Sequence, residues 1–187
     1  MRMVTAFFVL AFCFDVRAEQ PNPFQKIGEV LRHPRCLNCH VAGDSPKQTD
    51  QRRIHSPPVK RGPDGGGVGM KCVNCHREKN GPVIPGAPHW RLAPATMAWE
   101  NLNDRDLCRA LLDRAKNGDR SPEQLLRHMM EDELVGWAWS PGGRRTTIPL
   151  SKEDFGQEVR AWIDAGTPCP DDSNSALWFR AHSRTLF

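Results

Sequence analysis

Apolar positions along the chain fall into blocks whose spacing predicts a mainly α-helical, loop-rich protein. The first block, Val4 to Phe14, is almost continuously apolar. It follows Arg2 and precedes Val16-Arg17-Ala18, a small-residue cleavage pattern, so residues 1–18 read as a secretory signal peptide. The block is too short to span a bilayer, which needs about 20 apolar residues, and no later run approaches that length. Phe24, Ile27, Val30 and Leu31 share one helical face, with Asn22 as cap, Pro23 in the first turn and Pro34 as stop. Leu107, Cys108, Leu111, Leu112 and Ala115 predict a helix over 104–116, capped by Asn103 and ended by Asn117-Gly118. Ser121-Pro122-Glu123-Gln124 is a capping box before a stripe of Leu125, Leu126, Met129, Met130 and Leu134. The last helix starts at Ser151 and carries Phe155, Val159, Trp162 and Ile163 to Gly166. A short helix with Met97 and Trp99 is expected over 95–101, and Trp137-Ala138-Trp139 reads as loop.

Residues 41–71 and 80–94 show no such period and are rich in Pro, Gly and charge. A loop of that length inside a compact domain needs something to order it. The run Gly62-Pro63-Asp64-Gly65-Gly66-Gly67-Val68-Gly69 is not a nucleotide loop. No Gly-Lys-Ser/Thr follows, and Met70 stands where G-x-G-x-x-G needs its last glycine. It reads as backbone packed tightly against a cofactor.

Composition sharpens the question of what orders these loops. Only 39% of the 187 residues are hydrophobic and Tyr is absent, while Pro (16), Gly (15) and Trp (6) are plentiful. That is thin material for a self-sufficient core. The formal charge of +4 falls to about +3 without residues 1–18, a balance that implies neither nucleic acid nor an anionic membrane.

The chemistry lies in Cys36-Leu37-Asn38-Cys39-His40 and Cys72-Val73-Asn74-Cys75-His76. Each is C-x-x-C-H, the attachment signature of c-type haem. Two thiols form thioethers to one porphyrin, and the adjacent histidine bonds the iron. Two covalently attached haem c groups would supply the missing apolar bulk and edges for the loops. A zinc ribbon fits poorly, because the gap between the pairs is too long and both pairs carry the trailing histidine. Of seven cysteines, Cys13 leaves with the signal peptide and four belong to the motifs. Cys108 and Cys169 remain, and in an oxidising compartment they are expected to form a disulfide.

His40 and His76 are the expected proximal iron ligands. The candidates for the far side of each iron are His55, His89, His128 and Met97. His55 ranks first, because two prolines follow it closely and stiffen its approach. His33 reads as a surface or propionate-contacting residue, and Met129 and Met130 as core. A histidine ligand lowers the iron's potential and a methionine raises it. Arg35, Arg52, Arg53, Arg61 and Arg77 surround the motifs and could pair with propionates. The stretches around the two motifs differ, so one domain over 19–170 holding both haems is expected, followed by a loosely packed extension over 171–187.

The two motifs, Arg61-Gly62-Pro63-Asp64-Gly65, Pro85-Gly86-Ala87-Pro88-His89-Trp90, Trp137-Ala138-Trp139-Ser140-Pro141-Gly142 and Trp162-Ile163-Asp164-Ala165-Gly166-Thr167-Pro168-Cys169-Pro170 together resemble a family of exported proteobacterial dihaem c-type cytochromes. Members are often labelled as an isoquinoline 1-oxidoreductase subunit. The resemblance implies a single cytochrome c-like domain wrapped around two haems, in the periplasm of a Gram-negative bacterium. It also implies single-electron exchange with redox protein partners, a dehydrogenase or hydroxylase among them. Two other readings stand beside the carrier. One is a peroxidase-like haem enzyme with an open distal site, and the other is the electron-accepting subunit of a molybdenum hydroxylase.

Overall fold

A computed structural model describes residues 24–170. The expected signal peptide over 1–18, the expected helix start at Asn22-Pro23 and the expected extension over 171–187 lie outside the described residues.

The described residues form six α-helices and two minimal hairpins: α1 (Gln25–Leu31), α2 (Pro34–Leu37), α3 (Asp104–Leu112), α4 (Pro122–Glu131), α5 (Glu133–Gly136) and α6 (Lys152–Asp164). Strands β1 (Lys47–Gln48) and β2 (Arg53–Ile54) pair antiparallel, as do β3 (Gly66–Gly67) and β4 (Met70–Lys71). The mainly helical, loop-rich expectation therefore holds. Between α2 and α3 the chain makes only hairpins and single 3-10 turns. None of the described helices is long and apolar enough to cross a membrane.

The helical part carries the core because its stripes face one another. Helix α1 packs on α3 and α6, and α4 packs on α6. Phe24, Ile27 and Val30 meet Leu107, Leu111, Phe155, Val159 and Trp162, each at most 2% exposed. Burial of apolar surface is worth about 25 cal/mol per Å², so these few side chains supply much of the drive to fold. Trp162 satisfies its indole by donating to the Pro168 carbonyl at 3.0 Å. Next to that proline, Cys169 is bonded to Cys108 of α3, closing the helical part with an S–S distance of 2.00 Å.

Three helix starts follow the sequence signals. Asn103 accepts from Asp106 N at 2.8 Å, and Ser151 accepts from Asp154 N at 3.0 Å. Ser121 accepts from Gln124 N at 3.3 Å while the Gln124 amide oxygen accepts from Ser121 N at 2.7 Å, a complete capping box. Ser121→Ala is expected to destabilise the protein by about 1 kcal/mol, since it orphans a helix N–H. A thermal melt with no loss of midpoint would contradict this role.

Elsewhere the elements differ from the sequence expectation, each for a local reason. Pro34 does not merely end α1; it opens α2, with His33 as cap accepting from Arg35 N at 3.3 Å. Helix α3 stops at Leu112 rather than 116, because Asp113 turns extended. The buried Asn117 amide then donates to Leu111 O at 2.6 Å and Arg120 O at 3.0 Å, closing the turn. Over 95–101 only one 3-10 turn forms, Ala95–Met97, after Pro94, and Asn101 has a positive φ of 63°. Trp137–Trp139, expected as loop, continues α5 as a 3-10 turn. The glycine run folds on itself. A Cβ on Gly62 would stand 2.1 Å from Gly66 O, and one on Gly66 would stand 2.6 Å from Met70 O. The tight packing there is backbone against backbone of the same hairpin.

Candidate functional site: two cysteine–histidine motifs on adjoining cavities

The two motifs fold alike although their surroundings differ. In the first, α2 carries Cys36, and both Cys39 N and His40 N donate to Cys36 O at 3.1 Å. In the second, a 3-10 turn spans Cys72–Asn74, and Cys75 N and His76 N donate to Cys72 O at 3.2 and 2.9 Å. The fourth and fifth residues of each motif thus wind back onto the first. That turn is what brings two thiols and an imidazole within reach of one bound group.

Each imidazole is then fixed by the same two devices. His40 Nδ1 lies 2.8 Å from the Met97 carbonyl oxygen, and His76 Nδ1 lies 2.7 Å from that of Pro85. A carbonyl only accepts, so Nδ1 carries the proton and Nε2 keeps its lone pair. Burial pushes the His40 imidazole down to about 4 and lowers His76, which keeps both neutral and able to ligate near pH 7. Trp99 stacks on His40 with centroids 3.4 Å apart and a 10° interplanar angle. Trp90 stacks on His76 at 4.3 Å and 3°. Neither tryptophan was marked as a site residue by the sequence. Met97 and Trp99 lie two residues apart and Pro85 and Trp90 five, so no shared spacing announces the arrangement.

The first motif lines a cavity with both thiols and its imidazole, whereas the second borders one only through Cys72 and Val73. The first cavity, about 690 Å³, is walled by Cys36, Cys39 and His40 together with core side chains of the helical part such as Leu31, Leu111 and Phe155. The second, about 480 Å³, is walled by Cys72 and by loop residues including Lys60, Gly66 and His89. The two adjoin, sharing Arg61, Gly62, Trp90, Arg91 and Leu92. Trp90 also meets Trp137 edge-on at 4.9 Å, so an aromatic partition stands between the sites.

The thiols are unpaired with one another. Burial pushes Cys36 up to about 12 and Cys39 up to about 11, with Cys39 and Cys72 respectively adding to the effect as neighbouring charges. A redox-active C-x-x-C does the opposite, lowering its nucleophilic thiol. Among the described residues, no group of three or more His, Cys, Asp or Glu side chains could hold a metal ion unaided. The cysteine pairs do not assemble the four-ligand cage that zinc needs.

The cavity rims hold buried cationic atoms short of partners. Arg35 pairs with Asp50 and lies 5.8 Å over Trp137, yet its Nε has no hydrogen-bond partner. Arg61 donates to Val41 O and Gly43 O at 3.2 and 3.1 Å and its Nε pairs with Asp44 at 3.7 Å, while Nε and Nη1 lack a hydrogen-bond acceptor. Orphaned buried donors are costly, and two guanidinium groups on cavity walls fit an anionic group of a ligand. Arg52 pairs with Glu100 and Leu37 O, and although its Nε also lacks an acceptor it lines neither cavity; Arg53 and Arg77 are exposed. Taken together, free thiols, a clamped neutral imidazole, an apolar chamber and spare guanidinium donors fit the thioethers, axial bond, ring and propionates of a covalent haem.

The remaining candidates are dispersed. His128 of α4 lines the first cavity with His40, its Nδ1 3.4 Å from Asp132. Met129, read as core, lines it too. Met97 is buried there, but its own carbonyl holds His40 from behind, so its backbone lies on the proximal imidazole's side. His55 sits beside His76, with ring centroids 6.0 Å apart. His89 is exposed on the second cavity, held at a positive φ of 58°.

No family model matches the chain, and no match was found among curated proteins or solved structures.

Proposed function

We propose that the chain is an exported, periplasmic dihaem c-type cytochrome that carries single electrons between redox protein partners. The observation that carries this reading is the duplicated motif geometry. Two C-x-x-C-H turns each carry unpaired thiols and an imidazole tied at Nδ1 to a carbonyl and backed by tryptophan; the first lines a large apolar cavity with both thiols and its imidazole, and the second borders an adjoining cavity through Cys72. A haem bound at each would supply a one-electron iron couple. The residues of this chain would hold it, set its axial ligands and exclude water from its inner face.

The adjoining cavities support exchange between the two sites, with Trp90 between them. Contact with partners is favoured on the second motif's side. Among the described residues, the exposed large hydrophobics Ile54, Val68, Met70, Val73, Val83 and Ile84 all belong to the chain around it.

Optical and electron-paramagnetic spectra of the exported holoprotein test the reading. Two haems per chain are expected, both low-spin and unmoved by carbon monoxide or cyanide at low concentration. A high-spin fraction with hydrogen-peroxide turnover would favour the peroxidase-like enzyme, with the large first cavity as its site. Stable co-purification with a catalytic chain would favour the hydroxylase subunit. A haem-free product would defeat all three.

A further inference from the structure

We propose that His55 is the second axial ligand of the iron that His76 bonds, making the second site a bis-histidine centre. The inference rests on the dihaem reading and deepens it.

Three observations carry it. The first is spacing. Two metal–imidazole bonds of about 2.0–2.1 Å each, plus the two ring half-widths, span roughly 6 Å from ring centre to ring centre. The His55 and His76 centroids are 6.0 Å apart, tilted by 57°. Tilted rings in contact elsewhere in this protein, Phe24 on Trp162 and Trp139 on Phe155, stand at 5.5 and 5.4 Å, so the His55–His76 spacing is slightly wider than plain contact and matches the span that a shared iron needs.

The second is tautomer. His55 Nδ1 lies 2.8 Å from the Pro57 carbonyl oxygen, so it carries the proton and leaves Nε2 with its lone pair. This is the state in which His40 and His76 are held, and metal-bound histidines commonly show it because a donated Nδ1–H fixes the ring and raises its basicity. The third is anchorage. His55 follows strand β2, its N–H donates to Pro46 O at 3.1 Å, and β2 pairs with β1 through Lys47 and Ile54. The hairpin therefore has a positional task, holding one histidine opposite another. His89, the alternative, lines the second cavity where His55 does not, but it is exposed and among the described residues the histidine ring in contact with His76 is that of His55.

The test uses the exported full chain with wild-type, His55→Ala, His55→Met and His89→Ala proteins, each read by haem content, spin state and potentiometric titration. With two haems retained, His55→Ala is expected to convert one of the two low-spin irons to a carbon-monoxide-binding form and leave the other unchanged. His55→Met keeps a ligand in place and is expected to raise one of the two midpoint potentials. If both irons stay low-spin and both potentials stay put in the His55 variants, the assignment is overturned while the dihaem reading stands. The same holds if His89→Ala opens the iron instead. Wild-type protein without haem would overturn the underlying reading itself, a distinct result.

Discussion

Removing the thiols of the first motif, Cys36→Ala with Cys39→Ala, is expected to abolish the folded protein, whereas Cys72→Ala with Cys75→Ala leaves a soluble monohaem form. The two sites differ in what surrounds them. The first cavity, about 690 Å³, is walled by Leu31, Leu111, Leu125 and Phe155, members of the main core. The cavity opens to solvent, so without the group that the dihaem reading places there these core walls would face water, at a cost of about 25 cal/mol per Å² of apolar surface. A domain's whole net stability is only about 5–15 kcal/mol. The second cavity is enclosed by loop residues, and Cys75 and Val73 beside it are exposed. On the dihaem reading, losing the haem there exposes loops without opening the core. Haem-to-protein ratio and protease resistance of the exported variants measure both outcomes. Equal survival of the two double variants would show that the core does not depend on the first site.

Cys108→Ala with Cys169→Ala is expected to lower the melting midpoint by roughly 8–16 °C. The bridge joins residues 61 apart in sequence, and the chain-entropy model assigns such a loop about 4 kcal/mol. For a domain of this size each kcal/mol corresponds to about 2–4 °C. The loop encloses α4, α5 and α6, and its ends fasten α3 to the segment after α6. Three of the helices that wall the first cavity, α3, α4 and α6, are thereby tied together. Changing both cysteines leaves no lone thiol, and Cys108 is fully buried, so the double variant also loses some packing. Scanning calorimetry of the exported holoproteins checks the shift. A change under 2 °C would mean that helix packing and the bound groups already restrain the unfolded chain as the bridge does.

The helical part was legible because its signals are local. Asn103, Ser121 and Ser151 cap helices whose stripes at three- and four-residue spacing turn inward. Boundaries were less legible where one side chain acts across several residues, as Asn117 does in closing the end of α3. His33 also changed role, because capping α2 depends on how the chain turns after α1 rather than on its own type.

By itself the sequence determined the chemistry in reach. C-x-x-C-H fixes two thiols and an imidazole within five residues, and the turn that gathers them is made by hydrogen bonds inside the motif. Leftover-cysteine counting likewise singled out Cys108 and Cys169. Only the tertiary structure decided which distant groups meet those motifs. The carbonyls of Met97 and Pro85 reach back 57 and 9 residues to His40 and His76, and Trp99 and Trp90 arrive with them. Nor could spacing reveal that His55 lies beside His76, since a hairpin and a proline carbonyl place it there. Backbone carbonyls carry no sequence identity, and ring stacking has no period. Such partners become visible only once the loops have closed.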